Sequence, residues 1–151
     1  MGSISVSRIV PGSPDTVWEL IGGFHALPDW LSSVTECTPL HGGRVRGFTA
    51  PDGSTVHERL VEFSDAERRY SYTFDQSPFP VTGYLSTLRV HAVPGLEDAA
   101  EVQWSGRFVP QGVSAEEAEV LFRGIYRSGL SSLNKTLSAR SVATDGTPAT
   151  A

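Results

Sequence analysis

The stretch Ser114–Arg140, SAEEAEVLFRGIYRSGLSSLNKTLSAR, decides the fold. Ala118, Leu121, Phe122, Ile125, Tyr126, Gly129, Leu130, Leu133 and Leu137 recur at steps of three, one and four, which wind one stripe along a 3.6-residue helix. Ser114 and Glu117 stand in capping-box spacing at its start. Glu119, Arg123 and Arg127 follow at four-residue steps on the other face, acid before base, the favourable order for helical ion pairs. At 1.5 Å per residue the helix spans roughly 35–40 Å. A stripe that long and broad requires a large partner surface, and the residues before it must supply one.

They read as strands. Residues 3–10 alternate with Ile4 and Val6 on one face, and Pro11-Gly12 ends the run. Ser13 or Asp15 caps a short helix carrying Val17, Trp18, Leu20 and Ile21, which Gly22-Gly23 closes. Phe24–Trp30 reads as a second short helix. Strand patterns then follow at Val34–Leu40, Gly43–Thr49, Thr55–Phe63, Arg69–Asp75, Val81–Val93 and Ala100–Val109, each bounded by turn residues. Short turns between consecutive strands make an antiparallel meander. The expected class is α+β: a seven-stranded antiparallel sheet wrapped around one long C-terminal helix, with two short helices between strands one and two. Residues 1–140 read as a single domain, and the small, polar 141–151 as a disordered tail.

Composition excludes several classes of function. The 151 residues carry 12 Lys and Arg against 17 Asp and Glu, a net charge of −5, and no basic cluster, which argues against nucleic acid and anionic membranes as partners. One cysteine, Cys37, allows neither an internal disulfide nor a thiolate metal cluster. The N-terminus shows no signal-peptide pattern, so a cytoplasmic location is expected, without membrane insertion. Of the four histidines, His25 and His41 fall in loops, while His57 and His91 point outward with no second ligand nearby; no metal site is expected. Neither a nucleophile elbow nor a phosphate loop occurs.

Strand parity shows which side chains face the helix. The Pro51-Asp52-Gly53 turn sets Phe48 against Val56 and Arg46 against Glu58, with Leu60 continuing that face. In the last hairpin the same face is Tyr84, Ser86, Leu88 and Val90, then Val102, Trp104, Gly106 and Phe108; Tyr70, Tyr72 and Phe74 join it. Arg89, His91, Glu101, Gln103, Ser105 and Arg107 form the solvent set. An inner face that mixes tyrosine and serine hydroxyls with an arginine and a glutamate suits a cavity with a few convergent polar groups better than a packed core.

Phe24-His25-Ala26-Leu27-Pro28-Asp29-Trp30, Pro51-Asp52-Gly53 with Glu58-Arg59-Leu60, the run Val81–Val90 (VTGYLSTLRV) and Trp104-Ser105 together give the chain a family likeness. It resembles bacterial polyketide cyclase/dehydratase-like proteins of the START-like, helix-grip superfamily (SRPBCC), which also holds the plant abscisic-acid receptors and the birch-pollen allergen. The likeness runs over residues 3–138. It implies a helix-grip fold, a hydrophobic small-molecule ligand and no cofactor, and it matches Glu58, Tyr84, Ser86, Phe122 and Tyr126 to cavity-lining positions of the receptor branch. Two departures stand out. Many bacterial relatives continue Trp-His-Pro where this chain has Trp30-Leu31-Ser32, and Ala50-Pro51-Asp52-Gly53 does not match the receptors' gating loop.

The expected ligand-binding set is Trp30, Tyr72, Phe74, Tyr84, Ser86, Leu88, Trp104, Phe108, Phe122, Tyr126 and Leu130. The catalytic candidates are Glu58, as general acid or base in an aldol cyclisation or dehydration, and Arg46, as holder of an oxyanion. A structural ion pair pinning two strands is the other reading of that pair, and simple cavity lining the other reading of the tyrosines. At the level of function, an enzyme on an aromatic or polyketide-like molecule stands beside a non-catalytic carrier or sensor of an apolar ligand. Oligomeric state is not legible in the chain.

Overall fold

The computed structural model describes residues 1–140 with their side chains and residues 141–150 by backbone alone. The expected tail over 141–151 lies outside the fully described residues. Strand β1 (Gly2–Pro11) leads into helix α1 (Pro14–Ile21), whose first turn is capped by Ser13: its Oγ accepts from the Thr16 amide at 3.2 Å. Six strands follow, β2 (Thr38–Leu40), β3 (Val45–Thr49), β4 (Thr55–Ser64), β5 (Arg69–Gln76), β6 (Val81–Val93) and β7 (Leu96–Pro110), and then helix α2 (Ala115–Thr150). The seven strands form one antiparallel sheet in the order β1-β7-β6-β5-β4-β3-β2. This is the helix-grip architecture.

Registers follow the parity argument. Arg46 pairs with Glu58 and Phe48 with Val56 across the β3–β4 turn, and Leu88 pairs with Trp104 across the last hairpin. The inward faces of β6 and β7 are buried, from Tyr84 to Val90 and from Val102 to Phe108 at alternate positions. The capping box forms: Glu117 N–H donates to Ser114 Oγ at 3.0 Å and Ser114 N–H to Glu117 Oε1 at 3.3 Å. Ala118, Phe122, Tyr126, Leu130, Leu133 and Leu137 bury their side chains, whereas Leu121 and Ile125, on the flank of the stripe, are each 36% exposed.

Four local expectations need correction. Between β1 and β2 the second of the two short helices is a single 3₁₀ turn at Leu27–Asp29, shorter than the expected Phe24–Trp30; Pro28 has no amide to carry a longer ladder. The strand expected at Val34–Leu40 shortens to Thr38–Leu40, because Val34 N–H closes a turn on the Leu31 carbonyl and its side chain turns inward. The strand expected from Gly43 starts at Val45, after a 3₁₀ turn at His41–Gly43 with positive φ at Gly42 and Gly43. Among the described residues no ion pair joins Glu119 to Arg123 or Arg127; the Glu119 carboxylate instead accepts from the Ser3 amide at 3.2 Å, tying α2 to β1.

Candidate functional site

A cavity of about 520 Å³ opens between α2, the loop after the 3₁₀ turn and the β3–β4 and β5–β6 turns. Its inner wall is buried: Leu27, Val34, Arg46, Val56, Glu58, Tyr84, Trp104 and Phe122, with Gly129 of α2. Its exposed mouth is Ser33, Pro51, Asp52, Pro78, Leu121, Gly124, Ile125 and Ser128, with Leu31 and Phe79 half-buried at the rim. The loop at the mouth is clipped to the helix by Ser132, whose Oγ donates to the Trp30 carbonyl at 2.7 Å and accepts from the Ser32 amide at 3.0 Å.

Arg46 and Glu58 come together at the inner end, as the β3–β4 register requires. Arg46 Nε donates to Glu58 Oε1 at 2.9 Å and Nη2 lies 2.8 Å from the same oxygen in the ion pair, while Nη1 donates to the Phe24 carbonyl at 2.8 Å and to Tyr70 Oη at 3.1 Å. The guanidinium also lies over the rings of Phe24, Tyr72 and Tyr70, with Cζ 4.2, 4.8 and 5.4 Å from their centroids. A guanidinium tied to Glu58, Phe24 and Tyr70 and covered by three rings acts as a strand-pinning group. Glu58 lines the cavity, and among the described residues the bonds from Arg46 go to Oε1 and none reaches Oε2. Burial pushes the Glu58 carboxyl above its ordinary pKa, and the adjacent guanidinium opposes that rise without cancelling it.

A second polar cluster lies beside it. Tyr126 Oη donates to Ser86 Oγ at 2.9 Å, Ser86 Oγ donates to the Ser105 carbonyl at 3.0 Å, and Tyr84 and Tyr126 share a hydroxyl–hydroxyl bond. Trp104 Nε1 donates to both Tyr72 Oη and Ser86 Oγ, at 3.0 and 3.1 Å. Two glycines make the cluster possible. A Cβ at Gly106 would land on the Tyr126 hydroxyl, and one at Gly129 would lie 2.5 Å from Trp104 Cζ3. With Gly129 bare, the Trp104 indole lies flat against α2 and stacks on Tyr126, centroids 4.7 Å apart and planes 5° apart.

The structure therefore divides the expected ligand-binding set. Phe74, Tyr84, Trp104 and Phe122 line the cavity with Arg46 and Glu58. Trp30, Tyr72, Ser86, Leu88, Phe108, Tyr126 and Leu130 do not, although all are buried. Tyr72, Ser86 and Tyr126 turn their polar tips into the second cluster. Leu88, Phe108 and Leu130 are core, and Trp30 packs against Trp104 with centroids 5.7 Å apart. Parity identifies the inner face of a sheet but not which part of that face the helix covers. The mouth residues Leu31, Phe79, Leu121 and Ile125 were missed; Leu121 and Ile125, on the flank of the helical stripe beside Gly124 and Ser128, carried the only available signal.

Among the described residues no three His, Cys, Asp or Glu side chains converge on a point that could hold a metal ion, and no helix is long and apolar enough to cross a membrane.

Comparison with known proteins fits this geometry. Residues 1–138 match the family model described as polyketide cyclase / dehydrase and lipid transport. The chain is similar to the protein XoxI from Bacillus cereus, 47% identical over 91% of this chain and 96% of that one, with a TM-score of 0.87. An uncharacterized protein from Bacillus thuringiensis is 45% identical over 90% of this chain and 98% of that one, also with a TM-score of 0.87. The Zhui aromatase/cyclase from Streptomyces sp. R1128 shares the fold at 15% identity, with a TM-score of 0.73 over 94% of each chain. No curated protein matches the sequence. The chain belongs to the polyketide cyclase / dehydrase and lipid transport family.

Proposed function

We propose that the cavity holds a hydrophobic small molecule, aromatic or polyketide-like, and that binding rather than cyclisation is its primary role. The observation that carries this reading is the lining itself. A volume of about 520 Å³ falls within the range of about 300–1,000 Å³ usual for small-molecule sites. Phe74, Phe79, Tyr84, Trp104 and Phe122 give it aromatic walls suited to flat rings. The commitment of Arg46 to Glu58, Phe24 and Tyr70 favours a carrier or sensor, since the group expected to steady an oxyanion is already bonded.

One observation favours catalysis as a second reading. Glu58 Oε2 is uncommitted, and burial raises the carboxyl's pKa toward the range useful for general acid–base chemistry. The first test is titration with a panel of aromatic polyketides and lipids, read by the emission of Trp104 and by calorimetry. Micromolar or tighter binding is the expected result; unchanged emission and no heat across the panel would overturn the reading. Native mass spectrometry of protein purified from its own host then identifies any retained ligand. Glu58→Gln separates the two readings: a loss of turnover far larger than any change in binding makes the chain an enzyme.

A further inference from the structure

The direction of the hydrogen bonds around the cavity narrows the ligand class, an inference that rests on the binding role proposed above. The Ser105 carbonyl can only accept, so the Ser86 proton goes to it. Ser86 Oγ then accepts from Tyr126 and from Trp104 Nε1. With the Tyr126 proton committed to Ser86, the bond between the two tyrosines takes its proton from Tyr84. The donors run one way, Tyr84 to Tyr126 to Ser86 to a backbone carbonyl, and all of them lead away from the cavity. Of the polar side chains on the inner wall, Tyr84 and Trp104 have committed their protons inward, and Arg46, 1% exposed, is bonded to Glu58, Phe24 and Tyr70 and covered by three rings. On the lining residue Glu58, Oε2 is left without a bond, an acceptor in the carboxylate form. The charge of the lining agrees: Arg46 is offset by Glu58, and Asp52 at the mouth adds a second carboxylate, held ionised by its bonds from Ser54.

We infer that the ligand presents a hydrogen-bond donor, a phenolic or enolic hydroxyl, to Glu58 Oε2, and that the site discriminates against carboxylates and against ethers or ketones that can only accept. An acceptor facing an acceptor leaves a buried oxygen unpaired, which is how such sites reject analogues lacking the donor.

The test compares naphthalene, 2-naphthol, 2-methoxynaphthalene and 2-naphthoate by calorimetry with the full chain at one fixed pH. 2-Naphthol is expected to bind about tenfold or more tightly than its methyl ether, and 2-naphthoate the most weakly. In Glu58→Gln, Arg46 retains the amide oxygen and the amide nitrogen takes the place of Oε2, turning the inner end into a donor. There the naphthol–ether gap should close to within about threefold and naphthoate should gain about tenfold relative to naphthol. Equal binding of naphthol and its ether to the wild type, or an unchanged order in Glu58→Gln, would overturn the inference while leaving the cavity a binding site. If none of the four binds, the binding reading falls and the inference with it. Should Glu58→Gln fail to fold, as thermal unfolding would show, the wild-type order alone decides.

Discussion

Two polar clusters lie side by side under helix α2, and they are built on opposite principles. The hydroxyl cluster of Tyr84, Tyr126, Ser86, Trp104 and Tyr72 is closed: the bonds of Tyr84, Tyr126, Ser86 and Trp104 end within the chain. The ionic cluster of Arg46, Glu58, Tyr70 and Phe24 is closed on its cationic side and open at one carboxylate oxygen. Both sit on the inner face of the same sheet. The difference teaches that burial of a polar residue in this fold does not by itself mark it as functional.

Alkaline pH should break the closed cluster most completely. The chain's four tyrosines, Tyr70, Tyr72, Tyr84 and Tyr126, all have phenol pKa values raised, in each case chiefly by burial. Below about pH 10 the phenols are protonated in both states and their contribution to stability is complete. Above it the unfolded chain ionises first, so stability falls as pH rises through that value toward the higher folded-state ones. Phenolate absorbance is expected to stay silent near pH 10 and then to appear together with loss of the folded circular-dichroism signal. A gradual titration of the folded protein around pH 10 would show the cluster to be open.

The next largest effect belongs to the ionic cluster. Arg46→Met leaves Glu58 buried without its partner and should cost about 3–5 kcal/mol in chemical denaturation. Adding Glu58→Leu should recover at least about half of that, since an apolar pair of similar volume avoids the desolvation of both charges. No recovery in the double variant would mean that the bonds to Phe24 and Tyr70, rather than the ion pair, hold the strands.

The smallest expected effect tests the closed cluster at one bond. Tyr126→Phe removes the acceptor of Tyr84 and one donor to Ser86, and should cost about 1–3 kcal/mol. It should also free the Tyr84 proton for the cavity. The 2-naphthoate that the wild type rejects is then expected to bind more tightly, and unchanged affinity would show that Tyr84 does not look onto the ligand.

Much of this arrangement was legible in the chain. The 3.6-residue stripe of α2 and the Pro51-Asp52-Gly53 turn set the helix and the register, and the register alone placed Arg46 opposite Glu58. The division between cavity wall and closed cluster was not legible. It depends on the angle at which Tyr126 leaves α2 and meets Ser86, 40 residues away in sequence, across the gap left by Gly106. The irregular run between the 3₁₀ turn and β2 was misread as strand because Val34 looks apolar in either conformation. Its turn is set by a backbone bond to Leu31 that no side-chain pattern reports.

The far edge of the sheet carries a consequence of its own. Strand β2 is only three residues long, and its middle residue, Pro39, has no amide to offer a neighbour. A protein whose cavity mouth exposes Leu121 and Ile125 already presents one sticky surface to other chains. A long, unprotected strand at that edge would add a second and invite growth into fibrils. With β2 cut short and broken by proline, that edge of the sheet offers other chains no template while the entrance stays apolar.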